Sequence, residues 1–220
     1  VLLLTLSVVS TASAEAPRLL FIGNSYTYGN DLDQMTAQLM AQGPEDWADT
    51  QAIRHAVGAA RLVQHLAEAD GTNGNTALRG YLLGESFFSV ILQEQSRIPG
   101  FPEQNQMYQE SSSAFAALNQ LVEANGATTM AFMTWGRRSG DSQNTIRFPD
   151  YKTMQGHLKR GYFRYATANS TENRSVVVIP AGLAFEKIYD DLVEAGVDPL
   201  NEDSLFWNLY TADGSHPSLT

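Results

Sequence analysis

The stretch Arg18-Leu19-Leu20-Phe21-Ile22-Gly23-Asn24-Ser25-Tyr26-Thr27 decides how this chain is read. Leu19 to Ile22 form an uninterrupted apolar run, the mark of a buried strand. The polar residues after it lead toward a helix, with Asp31 as its N-cap and Leu32, Met35, Leu39 and Met40 along it. The same alternation continues outward to the C-terminus. Strands are expected at 18–24, 51–57, 87–92 (FFSVIL), 128–134 and 175–179. Helices are expected at 61–69, 76–84, 108–125, 151–169 and 181–195, with Asn125-Gly126 and Gly196 as stops. Segments 97–106 and 135–150 read as loops. Five strands separated by helices predict one α/β domain with a parallel, doubly wound sheet. Such sheets bind ligands at the carboxyl ends of their strands. Ser25, Gly58, Gln93 and Trp135 each fall just past a strand end.

Two short runs carry chemistry. Ser25 lies in FIGNSYT, and Asp213 and His216 lie in TADGSHPS. A hydroxyl, an imidazole and a carboxylate are the parts of a nucleophilic triad, which geometry rather than chain order defines. The i, i+3 spacing of Asp213 and His216 lets one loop carry both partners. Taken singly, Ser25 is a helix cap, Gly58 a turn glycine and Asp213-Gly214 a turn dipeptide. Taken together, in this order and at strand ends, they read as one site. Position 27 is Thr, so the run around Ser25 is not G-x-S-x-G, and no such motif occurs elsewhere. A conventional α/β-hydrolase fold is disfavoured.

With an early serine after the first strand and Asp-x-x-His near the end, the sequence resembles the SGNH (GDSL-like) hydrolase superfamily, named for a Ser, a Gly, an Asn and a His. The resemblance implies a three-layer, flavodoxin-like sandwich with a five-stranded parallel sheet in the order 2-1-3-4-5. It implies a serine esterase whose triad is Ser25, Asp213 and His216. Ser25 in GNSYT stands where the family has G-D-S, and Gly58 in HAVGAARLVQHL stands for its glycine. The implied oxyanion donors are the N–H groups of Ser25 and Gly58 and a side-chain amide. Where the family has G-x-N-D, this chain reads Leu92-Gln93-Glu94-Gln95-Ser96. A glutamine amide donates as asparagine does, with Gln93 nearer the strand end and Gln95 the alternative. This block, TWG at 134–136 and FPDYKTMQ at 148–155 are similar to a largely bacterial branch of the superfamily. Some carbohydrate-esterase branches use Gln here, which makes a carbohydrate O-acyl (acetyl) ester the expected substrate. Asn24, Tyr26 and Trp135 are the candidate pocket walls. A lipid esterase or thioesterase with the same triad stays open, as does a non-catalytic carbohydrate- or partner-binding module on the same fold.

The 220 residues suffice for one domain, placed at 18–220. A net charge of −10, from 24 acids against 14 bases, argues against nucleic acid as a partner. There are no cysteines, which excludes disulfides, thiolate catalysis and zinc–thiolate sites. Residues 1–17 combine an apolar run, Val1 to Val9, with Ala12-Ser13-Ala14, the form of a signal-peptidase site. They read as a partial signal peptide, predicting a secreted or periplasmic protein without stable membrane insertion. The resemblance also implies a closing helix beyond His216, so the sequence is expected to stop short of it. His55, His65 and His157 lack H-x-x-x-H or H-E-x-x-H spacing, so no metal and no cofactor are expected. Arg137 and Arg138 read as a solvated pair. Oligomeric state is not legible.

Overall fold

The computed structural model describes residues 15–219. The apolar run and small-x-small site of the expected signal peptide lie outside the described residues. Strands β1 (Arg18–Gly23), β2 (Gln51–Ala56), β3 (Ser89–Leu92), β4 (Thr128–Phe132) and β5 (Val177–Ile179) form one sheet in the order β2-β1-β3-β4-β5. Every pair in it is parallel. This is the flavodoxin-like order expected from the resemblance.

Helices α1 (Ser25–Tyr28) and α2 (Leu32–Met40) connect β1 to β2, and α3 (Leu62–Ala69) and α4 (Ala77–Gly84) lead to β3. Then α5 (Gln106–Asn125) precedes β4, α6 (Tyr151–Asn169) precedes β5, and α7 (Ala181–Glu194) and α8 (Leu205–Asn208) follow it. Alternating strand residues divide the core into two layers. Leu20, Ile22, Val90 and Leu92 pack with Leu62, Leu78, Phe115, Leu158 and Tyr162 from α3 to α6. Leu19, Phe21, Ile91 and Phe132 pack on the other face with Tyr26, Leu32, Phe185 and Phe206. Side chains set the helix ends. Asn105 caps α5 by accepting from Met107 and Tyr108 N–H, and Gly126 stops it at φ 88°.

Several expectations need correction, among them three with a clear local cause. Asp31 stands before α2 but makes no capping bond; it sits left-handed at φ 51° and its carboxylate takes Arg54 at 2.9 Å. The short helix α8 was expected as loop; Ser204 nucleates it by accepting from Trp207 N–H. Strand β5 begins at Val177 rather than Ser175, because the Val176 N–H goes to Ser170 Oγ. Among the described residues no helix is long and apolar enough to cross a membrane.

From β1 the chain steps to β2 on one side, then returns to place β3 on the other. The carboxyl ends of β1 and β3 are therefore the topological switch point, where an open parallel sheet leaves a crevice.

Candidate active site

Ser25 begins α1 at that crevice, on a shelf of hydrogen bonds. Gly23 ends β1 where a Cβ would collide with Thr27 Oγ1 and stand 2.6 Å from Gln93 Oε1. Besides the turn bonds its carbonyl accepts from Thr27 and Tyr28 N–H, buried Asn24 makes three: its N–H donates to Gln93 Oε1 at 2.9 Å, its Oδ1 accepts from Tyr26 N–H at 3.2 Å, and its Nδ2 donates to the Ala60 carbonyl at 2.9 Å. It thus ties the turn at Ser25 to the β2–α3 loop that carries Gly58. Beneath it, Glu94 accepts from Leu62 N–H at 3.1 Å, from Gln95 N–H at 2.6 Å and from Ser111 Oγ. Burial raises the pKa of this carboxyl, against the pull of those three donors.

Gln93 does not present its amide as the sequence led one to expect. It is 0% exposed, and its Oε1 accepts from both Asn24 N–H and Thr27 Oγ1. Its Nε2 donates to the Glu94 carbonyl. The amide oxygen and one of the two N–H donors are thus committed to holding the shelf. Gln95, by contrast, is half-buried and uses only its Oε1, accepting from Arg97 N–H at 3.1 Å. Its amide nitrogen has no partner among the described residues. Nor do hydrogen bonds within the described protein claim the N–H of Ser25 or of Gly58.

Across the crevice, the turn at Asp213–Ser215 sets the histidine. Gly214 takes φ 65°, and Asp213 Oδ1 accepts from the N–H groups of Ser215 and His216 at 2.8 and 3.0 Å. His216 Nδ1–H donates to Asp213 Oδ2 at 2.5 Å, and the Ser25 hydroxyl donates to His216 Nε2 at 2.8 Å. A carboxylate only accepts, so it fixes the proton on Nδ1 and leaves Nε2 free to take one. Partial burial opposes the Asp213 charge, but donors from His216, Ser215 and Thr211 outweigh it and hold the carboxyl well below the usual range.

The loop is braced by Tyr26 and Trp135, which the sequence offered as pocket walls, and by Ser215, Asn30 and Arg138, which it did not offer as part of the site. Ser215 bonds through its hydroxyl to Tyr26 Oη at 2.5 Å and through its carbonyl to Trp135 Nε1 at 3.0 Å. Tyr26 stacks on Trp135 at 5.0 Å and meets the His216 ring at 5.2 Å. Asn30, left-handed at φ 57°, donates its Nδ2 to the Pro217 carbonyl at 3.1 Å. Arg138 is no solvated residue: its N–H donates to the Gly214 carbonyl at 2.9 Å and its guanidinium lies 3.5 Å from the Trp207 ring centre. Arg137 pairs with buried Asp141 at 2.8 Å. The only available sequence signal was position, since Ser215 adjoins His216 and Asn30 is among the few residue types that tolerate a left-handed backbone.

Two hollows flank this loop. One, of about 520 Å³, has a polar wall of Arg137, Arg138, Ser139, Ser142 and Thr145 beside Asp213–Ser215. The other, of about 190 Å³, lies against Pro217 and is walled by Tyr26, Leu32, Met35, Trp135 and Phe185. Away from the triad, His55, His65 and Glu68 bring metal-ligand atoms together. Spacing hid this group, because His55 stands on β2 and the other two on α3.

No protein-family model matches the sequence, and no curated protein matches it. Solved structures do. A protein from Slackia heliotrinireducens assigned to the SGNH hydrolases superposes with a TM-score of 0.67 at 23% identity, over 93% of this chain and 91% of its own. A DUF4886 family protein from Bacteroides uniformis superposes with a TM-score of 0.61 at 16% identity, over 94% and 78%. The esterase EstA from Pseudoalteromonas sp., known in a form inhibited by monoethylphosphonate, superposes with a TM-score of 0.52 at 13% identity, over 91% and 87%. The sheet order, the helical layers and these superpositions together establish that the chain has the fold of the SGNH, or GDSL-like, hydrolases.

Proposed function

We propose that this protein is a serine esterase that removes a short acyl group, acetyl above all, from a carbohydrate. The observation that carries the reading is the unbroken hydrogen-bond chain from Ser25 through His216 to Asp213. As Ser25 Oγ attacks the ester carbonyl, His216 Nε2 takes the hydroxyl proton and then gives it to the departing alcohol. Water, deprotonated by the same nitrogen, then releases the acyl group from Ser25. Asp213 holds the tautomer and stabilises the imidazolium formed in each half-reaction. The unclaimed N–H groups of Ser25 and Gly58, with the Gln95 amide, receive the oxyanion.

The two hollows support the substrate class. The apolar one is smaller than the roughly 300–1,000 Å³ of drug-sized ligand sites, and at about 190 Å³ suits a short acyl group better than a lipid chain. The polar one suits a hydroxyl-rich alcohol. An acetyl xylan esterase is among the structures of the same fold, with a TM-score of 0.55 at 11% identity. The apolar run of Val1 to Val9 followed by Ala12-Ser13-Ala14 supports export, hence a secreted or periplasmic site of action.

Hydrolysis of p-nitrophenyl acetate, butyrate and octanoate by wild type and Ser25→Ala tests this. Acetate is expected to be preferred, with a loss of about 10⁴–10⁶ in kcat for Ser25→Ala at an unchanged circular dichroism spectrum. A preference for octanoate moves the assignment to a lipid esterase. A folded wild type that neither turns over ester nor takes up a serine-directed phosphonate is a binding module instead.

A further inference from the structure

Beside the shelf, three donor side chains meet between β2 and α3. His55 stands on the edge strand β2, while His65 and Glu68 lie one turn apart on α3. One donor atom from each lies within 4.8 Å of the other two. His55 Nε2 and Glu68 Oε2 are already 3.0 Å apart, and the two imidazoles meet edge to face at 5.4 Å. We propose that His55, His65 and Glu68 form a binding site for one divalent transition-metal ion of the zinc class, with water completing its coordination.

Two imidazoles and a carboxylate are a ligand set that such ions prefer. Metal–ligand lengths of about 2.0–2.2 Å put the donors of a tetrahedral ion roughly 3.3 Å apart. The His55–Glu68 pair, at 3.0 Å, is close to that spacing as it stands, and side-chain rotation would bring in the third donor, now within 4.8 Å.

The atoms that would not touch the ion are held as they are around metal ligands. His65 Nε2–H donates to the Gly23 carbonyl at 2.8 Å, which leaves Nδ1 with the lone pair. Glu68 Oε1 accepts from Leu78 N–H at 3.1 Å, which orients the carboxylate. His65 and Glu68 are buried, while His55 keeps 13% of its side chain exposed and gives solvent a route to the site.

The test uses the full chain, stripped with chelator and titrated with ZnCl₂ and CoCl₂ by calorimetry, visible absorption and thermal melting. The expected result is one ion per chain, the strong visible bands of four-coordinate cobalt, and a melting temperature raised by zinc and not by magnesium. Loss of an outer partner alone costs about 10–100-fold in affinity, so His55→Gln is expected to weaken binding by more than about a hundredfold. Absence of stoichiometric uptake overturns the site, as does equal uptake by wild type and His55→Gln. X-ray absorption of the zinc-loaded wild type, which needs no variant to fold, decides the ligands. Two imidazole nitrogens per zinc uphold the assignment, and an all-oxygen shell overturns it.

Discussion

The two halves of the candidate site are built by different means. The serine half is part of the sheet: Asn24 and Gln93 are buried, and each polar end of their side chains bonds within the protein. The histidine half is a surface turn, with 38% of the His216 side chain and 50% of the Asp213 side chain exposed. Trp135, Tyr26, Asn30 and Arg138 brace it from outside. A buried polar network is destabilising when one member is lost, because the others stay buried and unpaired. A solvated turn lets water replace what is removed. Substitutions in the serine half should therefore cost stability, and those in the histidine half should cost rate.

Asp213→Asn breaks the comparison most sharply if it is wrong. It is expected to lower kcat by about 10⁴ through loss of the correct histidine tautomer, with little change in melting temperature. A large drop in stability would show that the turn belongs to the folding core. The two glutamines give a second contrast. Gln95→Ala is expected to lower kcat by about 10²–10³, as loss of an oxyanion donor does, with stability intact. Gln93→Ala leaves the Asn24 N–H buried without a partner and should cost about 1–3 kcal/mol in denaturant unfolding. Reversal of those two outcomes would return the oxyanion role to Gln93.

Acid sharpens the comparison further. His65 is 1% exposed and held to about 4 when folded, against about 6.5 for a free imidazole. Between those values the unfolded chain binds the extra proton. Stability of metal-free protein should thus fall as pH drops from about 6.5 to about 4, by up to roughly 3 kcal/mol. His65→Gln should flatten that slope in unfolding curves taken across the window. The depressed Asp213 carboxyl acts with the same sign in a more acidic range: its contribution is present above its unfolded value of about 3.9 and fades only below it. The smallest effect belongs to Trp135→Phe, which keeps a ring against Tyr26 and removes the bond to the Ser215 carbonyl. Roughly 1 kcal/mol of loop positioning corresponds to about a fivefold fall in kcat, readable with p-nitrophenyl acetate.

The strands were legible because apolar runs such as SVIL and TTMAF stand out from polar helices, whereas their order came from the family resemblance. Ser25, Gly58 and Trp135 could be singled out since each follows a strand end, where an open sheet binds ligands. What escaped the sequence was direction. Nothing in Leu92-Gln93-Glu94-Gln95 says that the first amide turns inward to Asn24 while the second stays half-exposed. Asp31 looked like a cap, but Arg54 on β2 competes for its carboxylate. The His55–His65–Glu68 group was hidden for a related reason. Motif spacings describe ligands on one element, and here a strand and a helix share them. Counting Glu68 three positions after His65, on the same helix face, was the one signal available.

The Ser25–His216 bond joins residues 191 positions apart. Synthesis runs from the N-terminus, so the last strand, ending at Ile179, is made before Asp213 and His216 exist. A growing chain can therefore complete its whole sheet, Ser25 included, while it still lacks His216. The pairing of these two residues is thus a late event in synthesis, made onto a sheet whose strands are already in hand.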